Sequence, residues 1–227
     1  MAAKTRMKYL RRPKLNEPVA VVGSPGLRSI GKLAIDLLVD KLQAELIAEL
    51  YSTHFPIFFH TRASYAPHPM FPGDAGVKFG VNGIEFPRVQ FYSTTFPELI
   101  ITLGYHANFN GQYEVAEKVL DLFEEFGVKR MIVLAGYGRN GKEVCCAATS
   151  LKIIEEMGRK YGIEVGYEGP FYGFSGLVFG LAKLRGIEAL CLFGRTEPNV
   201  EKPEYPDENA ANVVLKRLTQ ILNLNFT

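Results

Sequence analysis

A chain of 227 residues with 26 basic and 24 acidic side chains has a formal net charge of +2, too weak a field to draw nucleic acid or an acidic membrane surface to the molecule as a whole. With 47% hydrophobic residues it buries a sizeable core, read as one α/β domain over residues 1–227. No apolar run has the length of a bilayer span or the form of a signal peptide, which sets the expectation of a cytoplasmic protein.

The chain opens on the basic cluster Lys4, Arg6, Lys8, Arg11, Arg12 and Lys14. No groove-reading pattern follows it, so residues 1–17 read as a solvated N-terminal arm. Val19 to Gly23 is a β-branched run that predicts a strand. Gly23-Ser24-Pro25-Gly26 turns the chain, and Ile30, Leu33, Ala34, Leu37, Leu38 and Leu42 then recur at helical spacing. Ala44 to Tyr51 predicts a second strand. From Phe55 to Gly76, four prolines (Pro56, Pro67, Pro69 and Pro72) with Gly73 and Gly76 break any regular element and predict a long loop, the kind that serves as a lid or a contact surface. Asn82-Gly83 predicts the turn of a hairpin between Val77 to Val81 and Ile84 to Tyr92.

Leu99 to Leu103 reads as a strand, the stripe Tyr113, Ala116, Val119, Leu120, Phe123 and Phe126 as a helix, and Met131 to Ala135 as a buried strand. A further strand over Val144 to Thr149 and a helix over Ser150 to Tyr161 follow. Six glycines between Gly166 and Gly186 surround the apolar stretch Ser175 to Arg185, which runs into the strand-like Ile187 to Phe193. Leu177, Val178, Phe179, Leu181 and Leu184 leave almost no polar face, so this helix is expected to be buried on nearly all sides, inside a layered domain or at a subunit interface. After the polar connector Pro198 to Pro206, Asp207 is the expected N-cap of a last helix and tail, residues 207–227. Alternating strands and helices imply a mostly parallel sheet covered on both faces, an α/β/α sandwich.

The motifs carry little chemistry. Gly136 to Lys142 approaches a phosphate-binding loop, but Glu143 stands where that loop needs a hydroxyl. Val144, Cys145 and Cys146 favour a strand where it needs a helix, so Asn140-Gly141 reads as a turn between two extended segments. Gly23, Gly26 and Gly31 lack the spacing of a dinucleotide fingerprint, although a turn between a strand and a helix is where an open α/β sheet holds an anion. His54, His60, His68 and His106 follow no ligand pattern, and no metal site is expected. Cys145, Cys146 and Cys191 sit in apolar runs as small core residues of a reducing compartment. Ser175 lies in a sequence that is not a nucleophile elbow, and it reads as a helix cap.

With these pieces in order, the sequence resembles the proteasome assembly chaperone 2 family, in particular its archaeal members. The likeness is carried by Val22-Gly23-Ser24-Pro25-Gly26 with Gly31-Lys32-Leu33-Ala34, and by Gly173-Phe174-Ser175-Gly176-Leu177 with Gly180. Leu184-Arg185-Gly186-Ile187-Glu188-Ala189 and Tyr205-Pro206-Asp207 with Ala210-Ala211 extend it to about Val19 to Leu222. The resemblance implies a three-layer α/β/α domain on a nucleoside-phosphorylase-like scaffold, homo-oligomeric assembly, and a role in proteasome assembly or activation without catalysis and without cofactors. It also implies, for some members, a C-terminal tail of hydrophobic residue, tyrosine and any residue that docks on the proteasome α-ring. Here the tail is Asn225-Phe226-Thr227: Phe226 keeps the aromatic body without the phenol hydroxyl, and Asn225 replaces the apolar residue.

The expectation is therefore a homo-oligomeric scaffold, not an enzyme, that binds proteasome subunits or a companion assembly factor and neither nucleic acid nor membrane. Its expected contact residues are Tyr65, His68, Met70 and Phe71 of the long loop and Leu224, Asn225, Phe226 and Thr227 of the tail, presented in several copies. The alternative is a nucleoside-phosphorylase-like enzyme or small-ligand-binding protein that holds an anion on Gly23, Ser24 and Gly26.

Overall fold

The computed structural model of the chain describes residues 4–55, 78–80, 83–105, 111–138, 141–197, 199 and 205–224. In chain order its strands are β1 Thr5–Tyr9, β2 Val19–Gly23, β3 Glu45–Ser52, β4 Lys78–Gly80, β5 Gly83–Glu85, β6 Val89–Thr95, β7 Glu98–Leu103, β8 Arg130–Tyr137, β9 Val144–Ala148 and β10 Glu188–Arg195. The α-helices are α1 Ile30–Leu42, α2 Gln112–Glu125, α3 Leu151–Tyr161, α4 Gly173–Leu184 and α5 Glu208–Leu222. Eight strands form one sheet in the order β1-β3-β6-β7-β2-β8-β10-β9, and β4 and β5 form a separate hairpin.

Alternation along the central strand sorts the helices into two layers, because successive side chains of a strand leave opposite faces. Ala20 and Val22 join a core cluster with Val115, Val119 and Phe123 of α2 and Phe174 and Val178 of α4. Val21 joins a second cluster with Ile30, Ala34 and Leu38 of α1, Met157 of α3, and Val214 and Leu218 of α5. The result is a three-layer α/β/α domain. Each large side chain that is fully buried, such as Phe91, Phe123 or Phe193, contributes about 1.5–3 kcal/mol by leaving water. Adjacent Cys145 and Cys146 divide between the two clusters, as neighbours on a strand should. Asp207 accepts a hydrogen bond from the Ala210 amide at 3.0 Å and caps α5 as expected.

Several expectations are corrected. The sheet is mixed: β7-β2, β2-β8 and β8-β10 pair in parallel, whereas β1-β3, β3-β6, β6-β7 and β10-β9 are antiparallel. Between β6 and β7 only Phe96-Pro97 intervenes, far too short for the helical crossover that a parallel pair requires. A hairpin joins β4 and β5, but Gly83, expected in its turn, pairs with Gly80 as the first residue of β5, and the strand expected to continue to Tyr92 stops at Glu85 and resumes at Val89. Pro87 lies between the two parts and has no amide to give to a ladder.

The basic N-terminal segment is not wholly a solvated arm, since Thr5–Tyr9 pairs with β3 along its whole length. Thr5, Met7 and Tyr9 are half-buried while Arg6 and Lys8 face water, so the charges that suggest an arm occupy one face of an edge strand. Nor is α4 buried on nearly all sides. Phe174, Val178, Leu181 and Ala182 are buried, but Leu184 is 82% exposed and Leu177 and Phe179 only partly covered. The buried stripe faces α2 and the sheet, Leu177 and Phe179 pack on its margins, and Leu184 faces outward.

Candidate functional site

Strands β2 and β8 lie side by side and parallel, so their carboxyl ends open at the same edge of the sheet. That is where open α/β sheets hold ligands. The chain leaves β2 through Ser24-Pro25-Gly26, makes a 3-10 turn over Leu27–Ser29, and enters α1. A side chain on Gly31 is excluded there, since its Cβ would lie 2.4 Å from the Leu134 carbonyl oxygen, and a Cβ on Gly23 would lie 2.4 Å from the Gly31 carbonyl oxygen. Close backbone approach thus packs the start of α1 onto the ends of β2 and β8.

The opposite wall is the segment that leads into α4. Gly176 sits against the Phe171 carbonyl, where a Cβ would meet the oxygen at 2.0 Å, and this folds the Phe171-Tyr172 corner back on the first turn of the helix. Between the two walls is a crevice of about 330 Å³. Ser24 and Ser175 line it, and their hydroxyls are hydrogen-bonded at 2.8 Å although 151 positions separate them. Both residues are buried. The remaining walls include Gly26, Tyr137, Tyr167, Phe171 and Tyr172. Tyr167 stacks on Phe193 with ring centroids 4.5 Å apart, and Phe171 meets the same ring edge-on at 5.0 Å.

The described side chains that line the crevice are uncharged, and the Arg195 charge acts on the Tyr137 phenol from beyond its wall. Among the described residues that line it there is no carboxylate, imidazole, ammonium or guanidinium group, and the side chains able to exchange a proton are serine hydroxyls and tyrosine phenols. Burial first, and the neighbouring Cys145 second, push the Tyr137 phenol above its ordinary pKa, and it stays protonated. The thiols are equally inert: burial pushes Cys146 up to about 11 and Cys191 well above its ordinary value, away from reactive thiolate. Among the described residues no three His, Cys, Asp or Glu side chains group together as metal ligands.

Ser24 and Gly26 line this crevice, and Gly23 precedes them as the last residue of β2. Ser175 is not the cap of α4: the N-cap is Tyr172, and Ser175 lies in the first turn with its hydroxyl on Ser24. The segment after β8 enters strand β9 at Val144 rather than a helix, so the likeness to a phosphate-binding loop ends there. His54 meets Glu114 at 3.2 Å on the far side of the domain from this turn's helix α1. Tyr65, His68, Met70 and Phe71 lie outside the described residues, as do Asn225, Phe226 and Thr227. Leu224 is placed, and it is buried in the second core cluster with its amide donating to the Thr219 carbonyl at 2.9 Å. Sequence reading misses the aromatic wall, since Tyr137 and Tyr167 are far apart in the chain. Its one local signal is Tyr167 with Phe171 and Tyr172 around Gly169-Pro170.

The geometry can be set beside known proteins. The sequence model of the PAC2 family matches residues 20–227. A structure of PbaB from Pyrococcus furiosus, described as an archaeal proteasome activator, is 30% identical, covers 98% of this chain and 91% of that one, and superposes with a TM-score of 0.80. PbaA from the same organism, described as an archaeal homologue of proteasome-assembly chaperone, is 21% identical over 99% of this chain and 88% of that one, with a TM-score of 0.74. A protein of Methanocaldococcus jannaschii without assigned function is 28% identical over 93% of this chain and 76% of its own length.

Proposed function

The chain belongs to the PAC2 family, and on that premise we propose that it is a non-catalytic, homo-oligomeric scaffold that binds proteasome subunits or a companion assembly factor. The observation that carries the reading is the match to an archaeal proteasome activator along nearly the whole of both chains. The lining of the crevice supports it, because among the described walls there is no carboxylate, imidazole, ammonium or guanidinium group of the kind a hydrolytic or phosphorolytic site uses. The layered scaffold in this reading is nucleoside-phosphorylase-like in arrangement and not in activity, since fold does not fix function.

In this proposal the segment around Tyr65, His68, Met70 and Phe71 and the tail residues Asn225, Phe226 and Thr227 form the contact surfaces, whereas Leu224, expected among them, is buried in the core. Presented by several protomers at once, modest contacts act together as if the second binding site were at high local concentration. Leu224 roots the tail by burying its own side chain in the core. The proposed setting is the cytoplasm. No described helix is long and apolar enough to cross a membrane.

Immobilised full-length chain presented with purified proteasome core particle tests the reading. Retention of the particle, weakened by deleting residues 225–227, supports it. No retention of core particle, of free α subunits or of any stoichiometric assembly factor contradicts it.

A further inference from the structure

The crevice between the Ser24 turn and the Phe171-Tyr172 corner is not used by the scaffold role, yet its chemistry is specific. Ser24 and Ser175 are 5% and 6% exposed and are bonded to each other at 2.8 Å. Two hydroxyls carry two protons, and one bond between them consumes one. Among the described residues neither hydroxyl has a second hydrogen-bond partner. Since both residues line the crevice, the pair presents one remaining donor to whatever enters it. A desolvated donor calls for an acceptor.

Around this polar point the walls are aromatic and held still. The Tyr167 hydroxyl donates to the Pro170 carbonyl and the Tyr137 hydroxyl to the Lys142 carbonyl, each at 2.5 Å, so the phenol protons are engaged by the protein and the rings are pinned. Phe193 fixes Tyr167 and Phe171 from behind. Tyr172, 82% exposed, stands at the mouth. Rigid rings offer stacking and edge contacts to a flat body. The volume of about 330 Å³ falls at the compact end of small-molecule sites.

Charge decides the rest. A phosphate or carboxylate entering this space would shed its water without meeting a cationic side chain among the described lining residues, and an ion desolvated without a counter-ion is strongly disfavoured. We propose that the crevice is a binding site for a compact, uncharged heteroaromatic molecule, with its ring among the aromatic walls and one acceptor atom on the Ser24–Ser175 hydroxyl pair. This site is independent of any role on the proteasome.

Saturation-transfer NMR on the full-length chain with adenine, nicotinamide and caffeine as neutral probes, and AMP and inorganic phosphate as charged ones, tests the proposal. At least one neutral probe is expected to bind with a Kd of about 1 mM or below. Ser175→Ala is expected to weaken that probe about tenfold by removing one hydroxyl of the pair. Tyr172→Ala, a surface change that leaves the core intact, is expected to weaken it severalfold. Absence of binding by all three neutral probes overturns the proposal. So does tighter binding of AMP or phosphate than of any neutral probe, or neutral binding that neither substitution weakens.

Discussion

Gly31 and Leu134 touch backbone to backbone: a Cβ on Gly31 would stand 2.4 Å from the Leu134 carbonyl oxygen. The helix that follows β2 is thereby seated directly on the end of β8, beside the crevice that Ser24, Gly31 and Leu134 help to line.

Gly31→Ala is therefore expected to destabilise the fold by about 1–3 kcal/mol, the usual cost of forcing extra atoms into a packed interior. Gly158→Ala is the contrast. Gly158 lies in α3 with nothing within 4 Å of where its Cβ would stand, and the change should stabilise by about 0.5–1 kcal/mol through helix propensity. Opposite shifts in denaturant midpoint at unchanged m would establish that glycine here serves packing at one position and nothing at the other.

Asp207 joins the connector to α5. Its carboxylate accepts from the Ala210 amide at 3.0 Å and from the Thr196 hydroxyl at 2.5 Å. Asp207→Ala should cost about 1–2 kcal/mol as a lost N-cap, and Asp207→Asn should recover part of that. Chemical denaturation of the three proteins at pH 7 measures both.

Acid weakens the fold with a definite sign. Desolvation raises the Asp207 carboxyl, but the Ala210 amide, the Thr196 hydroxyl and the Arg28 charge outweigh it and leave its pKa below the ordinary value. Glu125 is lowered as well, first by the Tyr9 hydroxyl and against a smaller desolvation, with Arg12 adding to the effect. Groups whose folded pKa is depressed stabilise the native state above their unfolded pKa of about 4, and that contribution is lost as pH falls through the folded values. Stability should be level from pH 7 to 5 and should decline below about pH 4, less steeply in Asp207→Asn. A Tm series across this range reads the outcome.

The edge strand β1 protects the sheet. Removal of residues 1–12 takes away the partner of β3 together with the Tyr9 and Arg12 contacts to Glu125, and bares a row of unpaired amides and carbonyls. The truncated chain is expected to melt lower and to aggregate at concentrations where the full chain does not, as light scattering during thermal melting would show.

Much of this architecture is legible in the residues. Val19 to Gly23 has the β-branched run and terminal glycine of a buried strand, the Ile30 to Leu42 stripe keeps helical spacing, and Asp207 announces its helix by side-chain chemistry alone. Pairing direction is less legible, because β1 and β9 are joined to their neighbours by contacts that only the folded chain makes. Thr5 to Tyr9 hides among basic residues whose charges point outward. The crevice escapes for a similar reason: Ser24 and Ser175 are ordinary in their own segments, and only the parallel placement of β2 beside β8, with α4 packed across, brings their hydroxyls to 2.8 Å.

Native mass spectrometry of the full-length chain, alone and mixed with proteasome core particle, tests the scaffold most directly. The expected result is a closed oligomer at an integral multiple of the 25.3 kDa protomer, and a further species in which that oligomer is bound to the core particle or its subunits. A single 25.3 kDa monomer that forms no adduct at any mixing ratio would contradict the account.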